Sequence, residues 1–303
     1  MSNRRALAAF LALTFAIDWG LVAGYFALGG EWEQPGSTAI PAIYMFGPAI
    51  AAIIVQRWMR HRPLAELGLR WRPTRWWTLA WLGPVALALA TAAVGWGLPG
   101  VSFDPTMADL MARFEGMFDA EQLAEMNRQV EALPVHPFWI TLLQALVAGA
   151  TINALFGLGE ELGWRGLMHN LVRPLGFWRS SALVGLVWGL WHAPLILLGH
   201  NYPTHPRLGV LMMIFWTMLL APPFTWIRDK TGSVVAAAVM HGSLNAAAGL
   251  PLMVTAGGGD LTIGVTGLAG FAVLAVVNVA IFVEQRAGRA GDAGEASVLA
   301  APS

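Results

Sequence analysis

The sequence predicts an all-α polytopic membrane protein, with about eight transmembrane helices forming one bundle around an internal polar cavity. Three observations predict it. Of 303 residues, 56% are hydrophobic and only 12% are charged, about half the charged share of a soluble domain. The apolar residues fall into runs of about 20, the length that crosses a hydrocarbon layer as a helix. Arginines collect in alternate connections between those runs, as orientation by positive charge requires.

Each run has its own boundaries. Arg4-Arg5 precede a first span from about Ala6 to Leu28, too long for a cleaved leader. Asp18 lies inside it. After a loop with Glu31 and Glu33, a second span covers about Ile40 to Met59, with a kink expected at Gly47-Pro48. A basic loop, 57–75, separates it from a third span, Trp77 to Leu98. Residues 104–132 hold many acids, and Leu110, Phe114, Met117 and Phe118 recur at helical spacing, which predicts an amphipathic helix outside the membrane. Residues 1–137 thus form an N-terminal three-span region.

A core, 138–250, follows. Its first span runs from Phe138 to about Leu171, too long to stand upright and therefore tilted or projecting beyond the bilayer. The fifth is about Ser181 to Leu198. The sixth, Leu208 to Ile227, carries Pro222-Pro223, which should break or bend it. The seventh is Ser233 to about Leu250. A Gly-rich loop leads to a last span within 251–284, and an Ala/Gly-rich tail, 285–303, reads as disordered. In this scheme the arginine-bearing connections share one side and the acidic ones the other. Both termini are then cytoplasmic, and the setting is an integral membrane protein of a bacterial cytoplasmic membrane.

Several classes are excluded early. There is no cysteine, hence no disulfide, thiolate metal site or cysteine nucleophile. Net charge is zero, so nothing draws the chain to nucleic acid. The partners implied are membrane lipid and a membrane-associated peptide or protein.

The chemistry is concentrated in Gly159-Glu160-Glu161-Leu162-Gly163-Trp164-Arg165. Ionised side chains within a span are costly and mark function. Glu161 and Arg165 are four apart and share a helix face, whereas adjacent glutamates point about 100° apart. Glu161 is therefore assigned to Arg165, and Glu160 to the cavity. His192 lies roughly 18 Å along the fifth span, and His241 and Asn245 about 12 and 18 Å along the seventh, at about 1.5 Å per residue. All three can meet Glu160 in one cavity, walled by Trp164 and Trp188 and opening to the cytoplasm. A glutamate and two histidines suit activation of water, with His241 and Asn245 placed to donate to an oxyanion. The bland alternatives are a surface ion pair at a helix end and histidines that serve as interhelical hydrogen-bond donors.

These residues together resemble the CAAX-protease and bacteriocin-processing family of intramembrane proteases. The resemblance lies in Glu160-Glu161-x-x-x-Arg165, an aromatic (here Trp188, usually Phe) four residues before His192, and His241-x-x-x-Asn245. It implies Glu160 as general base, Glu161 and Arg165 as its supporting pair, His192 as the residue orienting water, and His241 with Asn245 as the oxyanion site. The family has been described both as metal-free and as zinc-dependent. Glu160, His192 and His241 would make a three-ligand zinc set, against which stand the lack of His-Glu-x-x-His and of a supporting carboxylate other than Glu161. No cofactor is the reading adopted, with zinc as the alternative. Two rivals to an endopeptidase are a proton-coupled transporter, which should show paired internal repeats, and a non-catalytic membrane immunity or scaffold protein.

Overall fold

The computed structural model describes residues 1–32, 37, 39–113 and 120–299. Glu33, Phe114, Met117 and Phe118 of the expected elements lie outside them. Helix α1 (Asn3–Ala27) starts where the Ser2 side chain caps the Arg5 amide. The second span is built from α2 (Ala39–Tyr44) and α3 (Gly47–Ile53). Pro48 sits in the first turn of α3, where its missing N–H costs nothing, so the expected kink becomes a helix restart. A π-helical turn, Ile54–Met59, completes the span. Helix α4 (Arg75–Gly95) is the third span.

Outside the bundle, β1 (Val101–Phe103) precedes α5 (Ala108–Arg113) and α6 (Ala120–Glu131). The amphipathic stretch is therefore two short helices among the described residues, and α6 buries no residue.

Helix α7 (Pro137–Ala150) ends at Thr151, whose φ/ψ of −122°/−98° leaves the helical region, and α8 (Ile152–Glu161) resumes at once. The chain bends here by 48°. The long fourth span is thus broken rather than simply tilted. After α8 the backbone widens into a π-helical turn, Leu162–Met168, then α9 (His169–Val172). Helices α10 (Phe177–Trp191) and α11 (Ala193–Leu197) follow. Helix α12 (Pro206–Thr231) precedes α13 (Val234–Ala247), and Gly232 in the left-handed conformation closes α12. A short strand, β2 (Thr255–Gly257), pairs antiparallel with β1, Val101 opposite Gly257. Helix α14 (Leu268–Leu299) comes last.

Four expectations need correction. Among the described residues, six helices are long and apolar enough to span, or seven if the bent α7–α8 pair is one crossing, where eight single spans are expected. The fifth run is divided: α10 has 15 residues, about 22 Å at 1.5 Å per residue, short of a hydrocarbon layer of about 30 Å, and α11 carries the chain on to His200, which lines the cavity with Asn245 and Ala248 at the far end of α13. Pro194 cannot donate to the carbonyl four residues back, and the helix stops. Second, Pro222-Pro223 does not interrupt α12. The carbonyl of Leu219, which Pro223 leaves without its usual donor, instead accepts from Asn278 Nδ2 of α14 at 2.7 Å. Third, α14 (Leu268–Leu299) extends past residue 284, the boundary expected for the last span. Fourth, the otherwise all-α chain has one two-stranded sheet, at the Gly-rich loop.

Helix α13 is the centre of the bundle. Eleven of its fourteen residues are buried, all but Ala247 between Val234 and Leu244, and α7, α8 and α4 pack around it. Glycines permit the approach. A Cβ on Gly242 would lie 2.3 Å from the Ala154 amide nitrogen and 2.4 Å from the Gly149 carbonyl oxygen. Neither backbone atom can move aside cheaply. We predict that Gly242→Ala destabilises the fold by about 1–3 kcal/mol. Gly249→Ala, with nothing within 4 Å, should change it by about 0.5 kcal/mol or less. Unfolding midpoints in detergent would test the contrast, and equal midpoints would refute this packing account.

Candidate active site

Glu160 and Glu161 end α8 immediately before the π-helical turn. Such turns cluster at functional sites because the extra residue re-aims the side chains around it. Here it carries Trp164 and Arg165. Both glutamates and Arg165 are at most 3% exposed.

The two carboxylates have different neighbours. Glu161 Oε1 accepts from Arg165 Nη1 at 3.1 Å and lies 2.9 Å from His241 Nδ1. The Arg165 guanidinium is sandwiched over the rings of Trp188 and Phe224, at 4.4 and 4.6 Å. Glu160 faces the other way. Its Oε2 accepts from Trp188 Nε1 at 2.7 Å and from Trp164 Nε1 at 3.4 Å. Its Oε1 lies 3.7 Å from His241 Nε2.

The hydrogen bonds fix tautomers. His192 Nδ1 is 2.8 Å from the Trp188 carbonyl. A carbonyl only accepts, so Nδ1 carries the proton and Nε2 of the neutral ring is an acceptor. Likewise His241 Nδ1 faces a carboxylate oxygen, which orients the ring and turns Nε2 toward Glu160.

Glu160, Trp188, His192, His241 and Asn245 line one cavity of about 450 Å³. Trp164 does not line it. That indole stands behind Glu160, edge-on to Phe10 and Trp191. Among the described residues, no group of three His, Asp or Glu side chains is arranged to hold a metal ion. Glu160, His192 and His241 share the cavity but do not close on a common point as a metal set must.

The cavity lies toward the end of the bundle away from the arginine-rich loops. Beyond His192 its walls are His200, Asn201, Asn245, Ala248 and Thr266, at the far ends of α11 and α13 from the arginine-rich loops. His200, Asn201 and Asn245 are exposed there. Toward the arginine-rich loops, Leu67, Leu167 and Met168 are fully buried. If the arginines mark the cytoplasm, the mouth is on the other face. The mouth loops are braced: Tyr202 donates to the Thr266 carbonyl at 2.7 Å, and Asp260 accepts from the Thr204 amide at 2.8 Å. Burial alone would raise the Asp260 carboxyl, but hydrogen bonds from Thr204 and His205 hold it below the ordinary carboxylate range.

Residues that sequence reasoning left out hold His192 in place. Asp18 accepts from Trp191 Nε1 at 2.6 Å. The Trp191 carbonyl accepts from Tyr44 at 2.5 Å and from Trp19 Nε1 at 3.2 Å. Two spans thus grip the residue next to His192, at the point where α10 stops. Asp18 touches no cavity-lining polar group except through Trp191, so it positions rather than reacts. Asn153 lines the cavity as well. It is seven residues before Glu160, two helical turns on the same face, a spacing visible in the sequence.

Residues 134–247 match the family described as Rce1-like, type II CAAX prenyl endopeptidase. The similarity covers fewer than half of the residues of the chain. The match covers the bent α7–α8 pair, the π-helical turn, α10 to α12 and α13, and so the polar groups described above except those of α1 and α2 and the mouth residues Asp260 and Thr266. A curated relative, CAAX prenyl protease 2 of Methanococcus maripaludis, is 43% identical over 44 residues, which is 14% of this chain and 16% of that protein. The resemblance read from the motifs therefore holds over the Rce1-like core.

The grip on Trp191 makes a prediction. Trp191→Phe keeps the aromatic packing and removes the N–H, leaving a buried carboxylate with one donor fewer. It should destabilise the protein by about 1–3 kcal/mol, and Asp18→Asn in the same chain should recover part of that loss. A double-mutant cycle on unfolding midpoints reads the coupling, and strictly additive losses would contradict the pairing.

Proposed function

We propose that this protein is a membrane-embedded endopeptidase that hydrolyses a peptide bond of a membrane-associated protein or peptide, using a water activated by Glu160. The observation that carries the reading is the division of the two glutamates: one is tied to Arg165 and His241, while the other presents an oxygen to the cavity. The Rce1-like core supports the same class of reaction.

A water between Glu160 and His192 would donate one proton to the carboxylate and the other to the neutral His192 Nε2. Its lone pair is then left for the scissile carbonyl carbon. As the C–O bond forms, Glu160 takes the water's proton, and the carbonyl oxygen becomes an oxyanion. The Asn245 amide and an imidazolium at His241 would donate to it. When the C–N bond breaks, Glu160 returns the proton to the leaving amine, and the enzyme is restored. Glu161 acts through His241, whose ring it orients, and Arg165 balances Glu161. We propose that the cycle runs without a metal.

A peptidase assay in detergent tests this. Glu160→Gln keeps the shape of the side chain and removes the base, so turnover should fall by roughly 10²–10⁴-fold with an unchanged unfolding midpoint. Wild-type turnover should survive a zinc chelator. Turnover of Glu160→Gln at the wild-type rate would sink the assignment, and loss with chelator that added zinc restores would replace it with a metal mechanism.

By the charge bias of the loops, we further propose that both termini and the 57–75 loop face the cytoplasm and that substrate reaches the cavity from the opposite face. The chain has no cysteine, so single cysteines can be labelled without background. In oriented vesicles, Arg72→Cys should react only from the cytoplasmic side and Asn201→Cys only from the other. Labelling of both from one side would overturn the arrangement.

A further inference from the structure

A second polar hollow, of about 290 Å³, lies at the arginine-rich end of the bundle, and three arginines line it: Arg70, Arg173 and Arg228. They come from the loop before α4, the turn after α9 and the last turn of α12. Guanidinium groups so placed repel one another unless an anion or carboxylates offset them. Two carboxylates do line the hollow, Glu66 and Asp229, but both are engaged. Glu66 Oε2 accepts from Arg62 and from Gln56, each at 3.3 Å. Asp229 Oδ1 lies 3.3 Å from His169 Nε2. The hollow keeps a positive excess.

Its deepest arginine is pre-set. Arg228 Nε donates to the Arg165 carbonyl at 3.0 Å, which leaves both terminal nitrogens to face the hollow. The guanidinium lies against Gly68, where φ is +89° and a Cβ would come within 2.4 Å of Nη2. Arg70 and Arg173 are exposed at the rim. A planar donor fixed at the base, with two exposed ones above it, matches a tetrahedral oxyanion with several acceptor oxygens.

We propose that this hollow binds a phosphate group, held by Arg228 at its base and by Arg70 and Arg173 at its rim. A phospholipid headgroup and free phosphate offer the same oxygens. A basic pocket between helices at a membrane face suits the headgroup. The site is separate from the peptidase cavity, but its base hydrogen-bonds the π-helical turn that carries Arg165.

The test needs no peptidase activity. The full chain in a neutral maltoside detergent is titrated with inorganic phosphate and, separately, with phosphatidylglycerol or phosphatidylcholine in mixed micelles. Unfolding midpoint and bound adducts by native mass spectrometry are read. A saturable rise with phosphatidylglycerol alone identifies the headgroup, and a rise with phosphate alone identifies the free ion. The double variant Arg70→Gln/Arg173→Gln changes only exposed side chains and should bind at least roughly tenfold more weakly. Arg4→Gln/Arg5→Gln, which leaves the hollow intact, should bind as wild type does. The proposal fails if none of the ligands binds saturably or if the rim variant binds like wild type.

Discussion

The buried pair of Arg165 and Glu161 constrains everything around it. Two charges withdrawn from water cost several kcal/mol each, and their mutual attraction offsets that only with good geometry and further partners. The partners are visible. His241 meets the same carboxylate oxygen, and Trp188 and Phe224 cover the guanidinium faces. Glu161 Oε2 and Arg165 Nε and Nη2 nonetheless have no hydrogen-bond partner among the described residues. A pair so incompletely satisfied is a poor device for stability. It makes sense as a device for orientation: it fixes His241 and, through Trp188, the carboxylate of Glu160.

The surrounding architecture follows from that need. The π-helical turn lets Trp164 and Arg165 point to different neighbours although they are adjacent. The bend at Thr151 and the close glycine contacts bring α8 against α13, so Glu161 can reach His241. The stop in α10 frees the Trp191 carbonyl, and α1 and α2 supply the donors it takes up. Polar groups in hydrocarbon are tolerated where other helices satisfy them, and this site is assembled from such helix interruptions.

How much of this could be read from the sequence divides by range. The partition of Glu160 from Glu161 and the pairing with Arg165 follow from local helical spacing and needed no tertiary knowledge. The apolar runs likewise locate most of the spans. What was lost was non-local. Pro222-Pro223 looks like a break until Asn278, more than fifty residues on, donates to Leu219. The direction of the cavity depends on which helix ends fill with Leu67, Leu167 and Met168, and spacing along one helix carries no such information. Asp18 had no partner in its own span because its partner is 173 residues away. The fifth run was apolar for long enough to span, but Pro194 divides its helix into α10 and α11.

The same helix divides its side chains between two surroundings. Leu186 and Leu190 of α10 are exposed, while Trp188 and Trp191 are buried. Lipid meets aliphatic side chains there, and the two indole N–H groups, which hydrocarbon would leave without an acceptor, donate inside the bundle to Glu160 and Asp18.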